Sequence, residues 1–331
     1  MSDIILEING LNMCYRTSEN VVYALNGVDF IIHSGETVGL IGESGAGKTS
    51  VALSIMQLLP EKVGMITKGS IKFDGTELTE LNEKRMQKIR GKEISMIFAD
   101  PMTTLNPLQR VGDQVREVLK LHDSAANKKE LDEQTVAILQ KVGIHSERMD
   151  EYPHQFSGGM RQRIVIAMAL ACSPKLLIAD EATTALDVTI QAQILKLINQ
   201  LKSEMNTATL LITHDFGIVA HMCSSVAVMY SGEIIEFGRI EHIFKGKQHH
   251  PYTIGLFNSM PNMAENEARL RPIKGMMPDP TVLYPGCHFA DRCPDCLEIC
   301  LTVPPPVFQA DGHMIRCHLF NAAEAEGEVK V

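Results

Sequence analysis

Short, continuous apolar runs alternate along this chain with longer stretches in which apolar residues recur every three or four positions. Residues 37–41 (Thr-Val-Gly-Leu-Ile), 176–179 (Leu-Leu-Ile-Ala) and 209–213 (Thr-Leu-Leu-Ile-Thr) are runs of the first kind. Such runs suit strands buried on both faces of a parallel sheet. Residues 50–59 and 161–172 read as helices, as does the stretch with Ile190, Ile194, Leu197, Ile198 and Leu201 on one face. Residues 4–11 and 21–32 predict strands, broken near Tyr15 and at the turn signal Asn26-Gly27; 69–73 predicts a strand ending at Asp74-Gly75. A helix over 82–90 and a strand over 93–98 lead into residues 99–107, where Pro101, Asn106 and Pro107 predict an extended loop without regular structure. From 111 to 143 the pattern is mostly helical, carried by Val115, Val118, Leu119 and Leu121 and then Leu131, Val136, Ile138, Leu139 and Val142. Residues 226–230 and 233–237, separated by Ser231-Gly232, predict a hairpin. The expected fold class is α/β, with an all-helical insertion between strands.

The chemistry gathers at the ends of the apolar strands. Gly42-Glu-Ser44-Gly45-Ala46-Gly47-Lys48-Thr49 follows the first run, and Ser50 opens the helix after it. This is the phosphate-loop pattern G-x-x-x-x-G-K-[ST] in its strand-before, helix-after context. Glycines let successive backbone N–H groups face one point, where an anion also meets the positive end of a helix. Lys48 is placed to reach the β- and γ-phosphates, and Thr49 to give its hydroxyl to Mg²⁺. At the end of the second run stand Asp180 and Glu181, at the carboxyl edge of a parallel sheet where such folds bind ligands. Asp180 suits a Mg²⁺ shell and Glu181 the polarising of an attacking water. His214 ends the third run, within reach of a γ-phosphate or that water. Ser157-Gly158-Gly159 opens the helix 161–172 and makes a second anion-facing end, one that could serve another subunit's nucleotide. Tyr15 and Tyr23 are both candidates for stacking on an adenine ring.

Composition narrows the setting. With 331 residues, 45% hydrophobic and 21% charged, the chain suggests roughly two globular domains. No window approaches the ~18 apolar residues of a membrane span, and Met1-Ser-Asp-Ile-Ile-Leu-Glu has no secretory pattern, so the protein is expected to stay where it is made. The balance of 31 basic and 40 acidic residues, net −9, with no tryptophan, argues against nucleic acid as a partner. Three of the eight cysteines, Cys14, Cys172 and Cys223, are scattered in apolar settings. Cys287, Cys293, Cys296, Cys300 and Cys317 crowd near the C-terminus; in a chain without an export signal that points to a metal site more than to disulfides.

The order of phosphate loop, proline-bearing loop, Ser-Gly-Gly, strand with Asp-Glu, Ala185-Leu-Asp187 and strand with His resembles the nucleotide-binding subunit of ABC transporters. The resemblance covers about residues 4–245 and implies a P-loop ABC ATPase domain over 1–245, with a RecA-like core, a β subdomain and a helical subdomain at about 108–172, followed by a C-terminal extension over 246–331. It implies that residues 156–160 are the signature motif, with Met160 where glutamine is commonest, that Tyr15 stacks on adenine, and that Asp187 couples two sites across a head-to-tail dimer. In that dimer Ser157, Gly158 and Gly159 close on the partner's ATP. One departure is Ala99, where the family has a glutamine that touches Mg²⁺ and the attacking water; a methyl group can do neither, so hydrolysis or its coupling to transport is expected to be weakened.

The tail is more specific. Tyr284-Pro-Gly-Cys287, Phe289-Ala-Asp-Arg-Cys-Pro, Pro251-Tyr252-Thr253 and residues 98–107 are similar to the dipeptide and oligopeptide (and some nickel) importers. That branch implies an iron–sulfur cluster, [4Fe-4S], on Cys287, Cys293, Cys300 and Cys317, with Cys296 as a spare thiol or competing ligand; four-cysteine zinc is the alternative on ligand chemistry. It also implies a second, different ATPase subunit, two transmembrane permease subunits, an extracytoplasmic peptide-binding protein, and a place at the cytoplasmic face of the inner membrane. A nickel importer, a soluble non-transport ABC ATPase and an iron–sulfur redox sensor are the competing readings. Pro304-Pro305-Pro306 rules out a long helix near the end, and the acidic residues after Asn321 are expected to be disordered.

Overall fold

The structure is a computed structural model of the whole chain and describes residues 3–98, 100–122, 127–183, 187–259 and 272–320. In chain order the elements are β1 (Ile4–Arg16), β2 (Val21–His33), β3 (Thr37–Ile41), α1 (Lys48–Ile55), β4 (Gly64–Phe73), β5 (Thr76–Glu77), α2 (Glu83–Ile89), β6 (Ile94–Ile97), α3 (Pro101–Thr104), α4 (Val111–His122), α5 (Lys128–Lys141), α6 (Gly158–Leu170), β7 (Leu176–Asp180), α7 (Val188–Met205), β8 (Ala208–Ile212), α8 (Phe216–Met222), β9 (Ser225–Tyr230), β10 (Glu233–Arg239), α9 (Ile240–Lys245), α10 (Pro251–Asn258), β11 (Val307–Ala310) and β12 (His313–Arg316). The chain falls into two compact units, one of Met1–Leu6, Ile31–Thr37 and Lys72–Thr213, the other of Glu7–Phe30, Val38–Ile71 and His214–Val331.

In the first unit β6, β7 and β8 lie parallel, with Ile94 opposite Leu176 and Leu176 opposite Ala208. All of their residues are buried, so the near-absence of polar alternation in the sequence reflects helices on both faces. The helical insertion α4, α5 and α6 supplies Val111, Val115, Leu119, Leu131, Ile138, Leu139, Ile164 and Ile166 to a core of its own character. Asn127 opens α5 with a capping box, its side chain accepting from Glu130 N at 3.1 Å while Glu130 Oε2 accepts from Asn127 N at 2.9 Å.

In the second unit β3 and β9 are parallel, β9 and β10 form the expected hairpin, and β12 pairs with the other side of β10, followed by β11. The register between β9 and β10 slips between Ile234 and Glu236, a bulge that turns Glu236 inward.

Three expectations are corrected. β1 runs unbroken through Tyr15 to Arg16, and β2 continues through Asn26-Gly27, where Gly27 takes a positive φ without ending the strand. The loop predicted over 99–107 contains one helical turn, α3, which Pro101 opens; proline is tolerated there because the first helical N–H has no partner to lose. The tail holds a β-hairpin, β11 and β12, that periodicity does not reveal.

Candidate functional site

In the second unit the phosphate loop joins β3, buried along its whole length, to α1. Gly47 is the N-cap of α1 with φ 107°, and no acidic residue sits in the first turn to oppose an anion at the positive helix end. A Cβ at Gly47 would stand 2.6 Å from the Ala24 carbonyl oxygen, and only glycine fits. Lys48 is 6% exposed, and its Nζ donates to Gly42 O at 2.7 Å and Glu43 O at 2.9 Å, folded across the mouth of the loop it serves. Ser44, Gly45 and Thr49 are exposed, whereas Ala46 and Ser50 are buried. Tyr15 shares a 3.1 Å hydrogen bond between its hydroxyl and Ser50 Oγ, which ties β1 to α1 and leaves the ring half-buried. Tyr23 lies elsewhere on the path of β2, its N–H donating to Pro280 O. His214 is exposed beside Asp215, whose Oδ1 caps α8 by accepting from Gly217 N at 2.8 Å and Ile218 N at 3.2 Å.

Sequence reasoning missed the underside of the phosphate loop. The buried Tyr252 hydroxyl accepts from Glu43 N at 2.9 Å, and Arg292 Nη1 reaches both Glu43 carboxylate oxygens at 3.1 and 3.2 Å. Tyr230, Tyr252 and Phe289 form an aromatic cluster there, with centroids 4.6 to 5.4 Å apart. Burial pushes the Tyr252 hydroxyl far above its usual range, so it stays a neutral hydrogen-bonding group. Pro251-Tyr252-Thr253 was legible as a branch motif, but no local pattern links residue 252 to 43.

In the first unit Asp180 closes β7 and is 5% exposed, and Glu181 follows at φ 47° with its N–H donating to Ile212 O at 2.9 Å. A left-handed, non-glycine residue directly after a buried strand is a strained position of the kind that marks functional turns. Ser157 caps α6, its Oγ accepting from Met160 N at 3.4 Å, and Ser157 and Gly158 are exposed. Asp187 caps α7 by accepting from Ile190 N at 3.0 Å. A Cβ at Gly159 would meet Ile190 Cγ2 at 2.6 Å, so the start of α6 and the start of α7 are in contact through a position that needs glycine. Gly159 of α6 thus packs on Ile190, the residue whose N–H Asp187 caps at the start of α7. Ala99 lies outside the described residues.

The cysteines of the tail are all reduced. Cys300 and Cys317 are buried; Cys287 N donates to Cys300 O at 2.7 Å. Burial pushes the Cys287 thiol up to about 12, reinforced by the neighbouring Cys300 and Cys317; Cys293 is pushed to about 11 by burial, with Cys317 and Cys296 adding to it. A single zinc ion holds its sulfurs at ~2.3 Å and hence ~3.8 Å from one another. Among the described residues the one set of three or more donors within 4.8 Å of each other is Glu236, His249 and His313, so the cysteines are spread more widely than one zinc ion requires.

These features define an ATP-binding cassette. Residues 25–184 match the family described as ABC transporter, and the solved dimeric cassette MJ0796 in a post-hydrolysis state bound to ADP and Pi aligns over 71% of this chain and 98% of its own, at 26% identity and TM-score 0.64. CbiO1 from Clostridium perfringens, part of the transporter complex CbiONQ, aligns over 74% of this chain and 92% of its own with 28% identity and TM-score 0.64. The chain belongs to the ABC transporter ATPases, and within them to the oligopeptide/dipeptide branch: residues 235–300 match the oligopeptide/dipeptide transporter C-terminal region. Similar proteins include the oligopeptide transport ATP-binding protein AppD of Bacillus subtilis (47% identical, 97% of this chain and 98% of AppD) and OppD of Salmonella typhimurium (46%, 96% and 94%). The dipeptide transport ATP-binding protein DppD of Bacillus subtilis is 48% identical over 95% of this chain and 94% of its own.

Proposed function

We propose that this chain is the ATP-hydrolysing motor subunit of a dipeptide or oligopeptide importer. The left-handed glycine cap of α1 at Gly47, with the buried Lys48 Nζ folded onto the Gly42 and Glu43 carbonyls, is the observation that carries the reading, because a positive helix end and a buried ammonium beside a glycine turn favour a phosphate. MgATP is the expected substrate of such a cassette. Gly42, Ser44, Gly45, Ala46, Gly47, Lys48, Thr49 and Ser50 surround the phosphates, and Tyr15 stacks on the adenine. Thr49 and Asp180 would hold Mg²⁺, which would supply neutralisation of the charge developing on the phosphates. Glu181 takes the proton of the attacking water, and His214 positions it. Ser157, Gly158 and Gly159 act on the nucleotide of a second ATPase subunit, and Asp187 couples the two sites. The exposure of Ser157 and Gly158 supports that reading, since a face meant for a partner stays uncovered in one chain.

Among the described residues no helix is long and apolar enough to cross a membrane. Two permease subunits supply the pathway and an extracytoplasmic binding protein the peptide, with this subunit docked at the cytoplasmic face of the membrane beside a different ATPase chain. The named relatives favour peptide cargo over the nickel, soluble and redox-sensing alternatives. Cys287, Cys293, Cys300 and Cys317 would be the ligands of a [4Fe-4S] cluster in the tail, four thiols being the donor set such a cluster takes. In that role the cluster braces the extension and takes no part in ATP chemistry. The test is uptake of a labelled peptide into vesicles carrying the assembled transporter, with wild type and Lys48→Ala compared. Uptake that needs ATP and is lost in the variant supports the reading; ATPase activity that no peptide or permease affects overturns it.

A further inference from the structure

Away from the nucleotide and the cysteines, three donors meet on the last strands of the second unit. Glu236 is fully buried on β10, turned in by the bulge; its Oε1 lies 2.8 Å from His249 Nδ1 and 2.9 Å from His313 Nε2. His249 and His313 are nearly buried, with 11% and 14% of their side chains exposed. The second oxygen, Oε2, accepts from His250 N at 2.9 Å, which fixes the carboxylate plane. A fourth imidazole, His242, stands with its ring 5.7 Å from that of His313, and its buried Nδ1 has no hydrogen-bond partner.

The ligand atoms of Glu236, His249 and His313 all lie within 4.8 Å of one another, close enough to share one ion. His249 Nε2 lies 3.0 Å from the Gly246 carbonyl oxygen, which only accepts, so Nε2 carries a hydrogen. Nδ1 is then the nitrogen that faces the carboxylate oxygen, joined to it by a proton in this arrangement and able to ligate a metal ion when that proton is given up. A hydrogen bond from one ring nitrogen to a backbone carbonyl is how proteins fix the other nitrogen as a metal ligand. Tetrahedral zinc, at ~2.0–2.2 Å from nitrogen and oxygen, separates its ligand atoms by roughly 3.4 Å. The observed 2.8 and 2.9 Å must open by only about half an ångström to admit it, a side-chain movement.

We propose that Glu236, His249 and His313 form a site for a zinc-type divalent cation, with His242 next to it as a candidate fourth ligand. His313 begins β12 and Glu236 lies in β10, so the ion would fasten the C-terminal hairpin to the last strand of the ATPase sheet. The site is independent of the transport reading, because neither the phosphate loop nor the cysteines contribute to it.

Cobalt distinguishes this site from the cysteines, since thiolate ligands give intense sulfur-to-cobalt charge-transfer bands and nitrogen and oxygen ligands give only weak d–d bands. The full chain, stripped with a chelator, is titrated with Co²⁺ and then Zn²⁺. The expected result is one equivalent of cobalt with d–d bands, displaced by zinc and separable from any charge-transfer bands of the cysteines, and a melting temperature that rises with zinc. His249→Gln and His313→Gln should each weaken that equivalent tenfold or more while MgATP affinity stays unchanged. Should His313→Gln fail to fold by circular dichroism, His249→Gln, which lies in a loop, decides alone. Cobalt that binds only with charge-transfer bands, or binding unchanged in a folded variant, overturns the proposal.

Discussion

Replacing Arg292 by methionine tests whether the tail holds the phosphate loop. The side chain is 6% exposed and faces Glu43, itself 28% exposed, through two contacts of 3.1 and 3.2 Å; Nη1 also reaches the Tyr230 hydroxyl at 3.3 Å and Nε donates to Lys274 O at 3.0 Å. Breaking a fully buried ion pair costs ~3–5 kcal/mol. Glu43 keeps water on one side, so it is not stranded without solvation, and the figure falls to about 2–3 kcal/mol. Part of that loss lands on the loop, because Glu43 N is held by Tyr252 and its carboxylate by Arg292. If about 1 kcal/mol of loop order is lost, MgATP binds roughly fivefold more weakly. Urea unfolding gives the first number and nucleotide titration the second, and a double-mutant cycle with Glu43→Gln isolates the pair. A coupling energy under about 0.5 kcal/mol, the scatter of independent sites, refutes the reasoning.

Three further outcomes follow from the same geometry. Gly47→Ala forces a Cβ against Ala24 O in a left-handed conformation, and should cost about 2–4 kcal/mol in stability and abolish nucleotide binding, measured by denaturant melts and titration. Glu181→Gln keeps shape and removes the carboxylate proposed as the base: MgATP binding should persist while hydrolysis falls ~10²–10⁴-fold in a phosphate-release assay. Ala99→Gln should raise the ATPase rate or its stimulation by the permeases; identical rates would show that the missing glutamine is immaterial in this chain.

The nucleotide loop was legible because its chemistry is local: glycines, lysine and threonine lie within eight residues of one another, between a buried strand and a helix. Asp180 and Glu181 were legible for the same reason, standing directly after four apolar residues. What escaped depends on contacts between distant residues. Arg292 meets Glu43 across 249 positions, and His313 meets Glu236 across 77, distances no periodicity encodes. The strand break expected near Tyr15 failed because β1 gains its partners from β2 and β4, and pairing overrides a weak local pattern. The hairpin β11–β12 did carry a signal, Asp311-Gly312, both at positive φ, in the two-residue turn that closes such hairpins; four-residue strands on either side gave it too little flanking pattern to be noticed.

That hairpin also changes what happens when the chain is shortened. Without β11 and β12, β10 would end the sheet with a row of unsatisfied amides and carbonyls, open to pairing with any other extended chain. With them, the rim becomes β11, only four residues long and entered directly from three prolines that offer no N–H to a stranger. Fragments ending before residue 307 should therefore aggregate even where their cores fold, and the tail serves as a guard against self-association.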